Sequence, residues 1–221
     1  MTPKPLTLPT QINLEQFIST HAHDMRTPFN HITGFSKMLI NTVGDAPLDA
    51  LQKDDLNTVY RSGMRALALV NGLIDIARLG RGEKDLSLAD VELQPLLERA
   101  IAQWKKFHPG SGTVVLPRIL ATSPTLQADE QLFQQALTGF ISYVDLFCEG
   151  EATVNVTVEE DPRQFLFTFA SSGLKARLPS ELDMEMLGYI NRAFVELHGG
   201  KIEKAEENDS GAVIVFSLPK K

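Results

Sequence analysis

Apolar residues return every seven positions in two stretches of this chain, and that repeat limits what each stretch can become. In the first, Ile18, Met25, Ile32 and Leu39 form one row, and Ala22, Phe29, Ser36 and Val43 form a second, four places on. In the second, Leu56, Gly63, Val70 and Ala77 run beside Tyr60, Leu67 and Ile74. Two apolar places per seven is the seam of a helix that lies along other helices. Between the stretches, "NTVGDAPLDA" sets Gly44 and Pro47 where a helix breaks. The spacing predicts two long helices folded into a hairpin. A lone hairpin leaves one side of its apolar stripe wet, so it is expected to pair with a second copy as a four-helix bundle, giving a homodimer.

The flanking segments read differently. Residues 1–12 hold Pro3, Pro5 and Pro9 and offer little to bury, which predicts a flexible or extended leader. "RLGRGEKDLS" carries two glycines and a cluster of charges and marks the exit from the second helix, with a domain boundary near residue 82. The domains are therefore 1–12, a leader; 13–82, the helical hairpin; and 83–221, a second domain. In the last, helices are predicted at about 93–106, from Asp129 to Phe147, and at about 182–198, ending on Gly199 and Gly200. A Pro/Gly/Ser-containing stretch through Pro124 separates the first two. "EATVNVTVEE" and "QFLFTFA" read as strands meeting at "DPR", and "AVIVFSLP" closes the chain as a third. The fold class is α+β, a helical hairpin followed by an α/β sandwich.

Composition narrows the function. A net charge of -7 with no basic run argues against nonspecific nucleic-acid binding. With Cys148 alone there is no intramolecular disulfide and no cysteine metal or redox motif. No stretch approaches the ~20 apolar residues of a membrane span, and "MTPKPLTLPTQ" lacks a signal peptide's apolar run. A soluble, cytoplasmic protein is expected.

The first helix carries His21, His23 and His31. His23 and His31 are eight residues apart, about 12 Å along a helix axis, and ligands that share a metal on one helix sit three or four apart. A shared metal ion is excluded, and His21 and His31 read as packed or solvent-facing side chains. His23 has different neighbours. Asp24 can hold one ring nitrogen by a hydrogen bond and leave the other as a nucleophile. Thr27 follows one turn later, and Pro28 loosens the turn that holds His23, because it lacks an N–H and clashes with the carbonyl of Asp24.

"HDMRTP", from His23 to Pro28, resembles the H-box of sensor histidine kinases, position for position. The resemblance extends over nearly the whole chain: a dimerisation and phosphotransfer hairpin, then an ATPase-like sandwich, with "LFQQAL" similar to the start of the N-box helix and "VELHGGKI" and "FSLP" similar to the family's last helix, turn and strand. No sensor module is expected ahead of them. It implies that His23 accepts a phosphoryl group, that Asp24 is base and orienter, and that Thr27 places the water that dephosphorylates a bound response regulator. It also implies that a receiver domain docks over Arg26, His31, Gly34 and Lys37.

The same resemblance fails at the nucleotide site. Aligning Asp129, Gln135 and Leu137 on the N-box sets Gly139 and Tyr143 where two asparagines belong and Leu146 where a basic residue often sits. The Asp-x-Gly-x-Gly box after "FLFTFA" reads Ser171, Ser172, Gly173, Leu174, Lys175, so the adenine acceptor is Ser171. The later Gly-x-Gly becomes Glu185 and Leu187, with Gly188 out of register, and too few residues separate Gly173 from Gly188 for a lid. Mg-ATP binding is expected to be lost and no cofactor or metal is expected. The reading is a histidine phosphotransferase exchanging phosphoryl groups between His23 and receiver-domain aspartates. A non-enzymatic pseudokinase that binds a kinase or regulator and an atypical active histidine kinase are the alternatives.

Overall fold

The computed structural model describes residues 4–5, 31–32, 49–80, 85–108, 111–175, 181–209 and 211–220. The chain forms two compact units, one of residues 11–73 and one of residues 1–10 with 74–221.

The described part of the helical hairpin is chiefly α1 (Ala50–Gly80). Its start is locked by reciprocal bonds: the Asp49 N–H donates to Gln52 Oε1 and the Gln52 N–H to Asp49 Oδ1, both at 2.8 Å. Along α1, Val59, Ala66, Leu69 and Leu73 are buried, whereas Leu51, Leu56, Tyr60 and Ile74 stand exposed. The heptad positions Leu56, Tyr60 and Ile74 thus form a second apolar stripe, separate from the buried one. Of the other predicted arm, His31 and Ile32 are described, both helical. A Cβ on Gly63 would sit 2.9 Å from Ile32 Cδ1, so glycine there lets a member of the first seam approach α1 closely.

The second unit is a two-layer sandwich. Its elements are β1 (Lys4–Pro5), β2 (Leu88–Glu92), α2 (Leu93–Phe107), β3 (Val114–Ile119), β4 (Thr125–Asp129), α3 (Glu130–Asp145), β5 (Cys148–Glu160), β6 (Gln164–Lys175), α4 (Glu181–Leu197), β7 (Lys201–Asn208) and β8 (Gly211–Pro219). The main sheet runs β1-β7-β8-β6-β5-β3, with β3 parallel to β5 and the other pairs antiparallel; β2 and β4 form a separate antiparallel pair. One face of the sheet is apolar by alternation: Ala152, Val154, Val156 and Val158 on β5, Phe165, Phe167 and Phe169 on β6, and Ile214, Phe216 and Leu218 on β8 are buried. α3 covers that face, with α2 and α4 packed against its sides.

Local chemistry explains the boundaries. The Asp129 carboxylate caps α3 by accepting from the Leu132 N–H at 3.1 Å. At "DPR", Asp161 Oδ1 accepts from the N–H groups of Arg163 and Gln164, at 2.7 and 2.9 Å, which turns β5 into β6. α4 ends with Gly199 at φ 79°, the N–H of Gly200 reaching the Val195 carbonyl and that of Gly199 the Glu196 carbonyl, both at 2.9 Å. This is the paired closure that favours glycine after a helix. Within the Pro/Gly/Ser-containing stretch, β3 is present although Pro117 interrupts it, because an edge strand tolerates a missing N–H.

Phe216 is the hub of the core, with ring centroids 4.8 Å from Phe167, 4.9 Å from Phe140 and 5.9 Å from Phe169. Phe216→Ala should cost about 3–5 kcal/mol through lost burial and the cavity left behind, read as a lower denaturant midpoint at unchanged slope.

Candidate functional site

Of the phosphotransfer residues, His31 lies among the described residues: it is helical and exposed, next to the Ile32 that meets Gly63. His23, Asp24, Arg26, Thr27, Gly34 and Lys37 lie outside the described residues.

The positions aligned with a nucleotide site are spread over α3, β6 and α4. Gly139 sits in mid-α3, and a Cβ there would collide with the Asn191 carboxamide, lying 2.8 Å from its Cγ. Asn191, on α4, is 1% exposed and occupies the space that a side chain at 139 would need. Its Nδ2 has no hydrogen-bond partner among the described residues. One turn on, Tyr143 is 1% exposed and packs against Phe147 with ring centroids 5.8 Å apart. Burial pushes its phenol up to about 12, since the phenolate would lose its hydration there. Between pH 10 and 12 the unfolded chain therefore sheds a proton that the folded chain retains, and stability should fall as pH rises through that window. Tyr143→Phe should flatten this decline in urea-denaturation series at pH 9 to 12.

The strand predicted from "QFLFTFA" ends at Ala170, before the Ser171–Lys175 segment. Instead β6 continues through it, pairing Ser171 with Val154, Gly173 with Ala152 and Lys175 with Cys148. Ser171 is buried, and its Oγ accepts from the Ala212 N–H at 3.0 Å, fastening β6 to β8. Gly211 meets Ser171 so closely that a Cβ would lie 2.7 Å from that same Oγ. Cys148 hydrogen-bonds Ser171 as well, and burial raises its thiol. Gly173 is pressed against β5, where a Cβ would come within 2.9 Å of the Ala152 Cβ. Glu185 and Leu187 fall inside α4, half-buried, on either side of Met186, whose side chain enters the core. Residues 176–180 are all that separates β6 from α4. Leu146 stands just past the end of α3, half-buried.

Two residues important to this region carry no strong sequence signal. His198 is 2% exposed; its Nδ1 lies 2.6 Å from the Phe194 carbonyl, and its Nε2 accepts the Asp129 N–H at 3.1 Å. Nδ1 therefore carries the proton, and the ring joins α4 to the start of α3 as a satisfied core histidine. Asn191 is the other, and its partner Gly139 is more than fifty residues away in the chain.

Residues 13–82 match the His Kinase A (phospho-acceptor) domain. Over 229 residues the chain is 23% identical to the "Non-motile and phage-resistance protein" of Caulobacter vibrioides, covering 92% of this chain and 27% of that one. It is 27% identical over 146 residues to the cell-division control histidine kinase PdhS of Brucella anthropi, covering 65% of this chain and 14% of that one. The chain is similar to sensor histidine kinases, in sequence and in fold. The chain spans less than half the length of the curated relatives it matches. In fold it is similar to the Acinetobacter baumannii histidine kinase AdeS, with a TM-score of 0.64 at 16% identity over 90% of this chain and 98% of that one. It is likewise similar to the histidine kinase ThkA in a structure with the response regulator protein TrrA, with a TM-score of 0.65 at 19% identity over 94% of this chain and 62% of that one. No helix among the described residues is long and apolar enough to cross a membrane.

Proposed function

We propose that this two-component protein is a histidine phosphotransferase that passes phosphoryl groups between His23 and the aspartate of a receiver domain, and that its sandwich no longer binds Mg-ATP. The contrast within the chain carries this reading: "HDMRTP" is complete, whereas the positions aligned with a nucleotide site serve the interior of the fold. Tyr143 offers a buried phenol where a Mg²⁺ ligand belongs, and Ser171 spends its hydroxyl on Ala212. Gly139 is covered by Asn191, and five residues are too short a connection for a lid over a nucleotide. These residues do not fit Mg-ATP.

In the transfer, His23 Nε2 attacks the phosphorus of an aspartyl phosphate. A P–N bond forms as the P–O bond to the receiver's carboxylate breaks, and the carboxylate leaves as an anion. Asp24 keeps the proton on Nδ1 and the lone pair on Nε2. Thr27 acts in the loss of phosphate from the regulator by placing water. Efficient transfer needs donor and acceptor held in line, which assigns Arg26, His31, Gly34 and Lys37 to docking the regulator. The partners are a second copy of this chain and a response-regulator receiver domain, in the cytoplasm. The domain division at 13–82 and 83–221 separates the transfer hairpin from the retired sandwich. Transfer of label from a phosphorylated receiver domain to the purified chain tests the acceptor half of the proposal. Calorimetry with Mg-ATP tests the other half, and saturable binding at millimolar concentration or tighter would overturn it.

Dimerisation has its own support in the exposed stripe of Leu56, Tyr60 and Ile74 on α1. Sedimentation at micromolar concentration should give the mass of two chains; the mass of one chain would refute the bundle.

A further inference from the structure

His108 caps the C-terminal end of α2, and four features around it favour a positively charged ring. The helix end itself favours a cation, because its last carbonyls have no intrahelical partner. Nδ1 lies 3.0 Å from the Trp104 carbonyl oxygen, which can only accept, so Nδ1 carries a proton, in a bond that strengthens when the ring is charged. The ring stacks on the Trp104 indole, with centroids 5.3 Å apart and planes 21° from parallel, and an indole face attracts a cation. Asp145, at the C-terminal end of α3, supplies a carboxylate within electrostatic reach. Burial raises the Asp145 carboxyl, while the Thr113 hydroxyl, donating to Oδ1 at 2.7 Å, and the His108 charge lower it. The other titratable and charged groups near this corner are the Cys148 thiol beside Asp145 at the start of β5, Glu149 and Glu151 exposed beyond it, and Lys105 and Lys106 exposed in the last turn of α2. The two lysines oppose a charged ring, and water screens them.

These groups meet where β3 begins. The Ser111 N–H reaches the His108 carbonyl at 3.2 Å, the Thr113 N–H reaches Ser111 Oγ at 3.2 Å, and Thr113, buried, is the residue that holds Asp145. β3 is an edge strand paired to β5, and Gly112 is pressed onto β5, where a Cβ would come within 2.9 Å of the Gly150 carbonyl oxygen. We infer that His108 is a proton-operated clasp: its charged ring, formed as pH falls, ties the end of α2 and the start of β3 to Asp145, and neutralising the ring loosens that edge of the sheet. A ring that gains such partners on folding titrates above the ordinary histidine value of about 6.5. Its stabilisation is therefore complete below that value and is lost as pH rises through the folded midpoint. Protonation of Asp145 at lower pH removes the partner, so the clasp is strongest between the two titrations.

Imidazole titration by NMR in the full chain tests this. The His108 ring should titrate about one pH unit above the ordinary value, and Asp145→Asn should lower its midpoint by about half a unit. A midpoint at or below about 6.5, or one that Asp145→Asn leaves unchanged, would overturn the clasp. Amide exchange gives an independent readout: corrected for the intrinsic rate at each pH, opening of residues 111–116 should rise about fivefold between pH 6 and pH 8, with β8 unchanged. His108→Gln, which keeps a donor for the Trp104 carbonyl but has no charge to lose, should remove this pH dependence. Opening that is independent of pH in the unaltered chain, or equally pH-dependent in His108→Gln, would also overturn the inference.

Discussion

His23→Gln will abolish phosphoryl transfer from a phosphorylated receiver domain while leaving the dimer and the thermal unfolding midpoint as they are. Glutamine offers no ring nitrogen nucleophile, so the loss should reach the detection limit, at least about a thousandfold, as expected when a covalent catalyst is removed. Asp24→Asn should be milder: the imidazole loses the partner that fixes its tautomer but keeps its nucleophile, so transfer slows while regulator binding persists. Thr27→Ala should chiefly affect loss of phosphate from the regulator. A scaffold that only binds a kinase or regulator requires the opposite pattern, with His23→Gln complementing a deletion strain fully. That outcome would replace the phosphotransferase reading with the pseudokinase one.

Gly139→Asn, the substitution that would return an N-box asparagine, is expected to damage the fold and restore no nucleotide binding. Its side chain must enter the space held by the Asn191 carboxamide, and a Cβ at 139 already lies 2.8 Å from Asn191 Cγ. Asn191 is 1% exposed and anchored on α4, so overpacking should cost about 3 kcal/mol. In a chain of this size that lowers the melting temperature by roughly 6–12 °C. Adding Asn191→Ala should recover much of the loss, a non-additivity reserved for groups in contact. If Gly139→Asn alone is neutral, α3 and α4 are not packed as described.

The sequence was most informative where one residue type answers one local demand. The heptad rows marked α1 because a helix must lay its apolar stripe against something, Asp129 marked the start of α3 by its cap, and Gly199 marked the end of α4 because its φ of 79° excludes most side chains. Edges and long-range contacts were less legible. β3 was hidden by Pro117 and by pairing to β5 across a whole helix, and the two residues of β1 are too short to carry a period. The strand read from "QFLFTFA" stopped at Ala170, yet β6 runs on to Lys175, because Ser171 bonds to β8 and Gly173 fits against Ala152. Asn191 carried no signal at all: its meaning lies in the glycine it covers. For His23 and the residues around it, the reading rests on the H-box and on the match of residues 13–82 to the phospho-acceptor domain.

The central claim is that the chain receives phosphoryl groups from a receiver aspartate and not from ATP, and one two-donor labelling experiment addresses it. The same preparation is given either labelled phosphoreceiver or γ-labelled ATP with Mg²⁺, and acid-labile phosphate on His23 is followed. Label arriving from the phosphoreceiver alone, and absent in His23→Gln, is the predicted result. Label arriving on His23 from ATP would contradict it and show a working kinase.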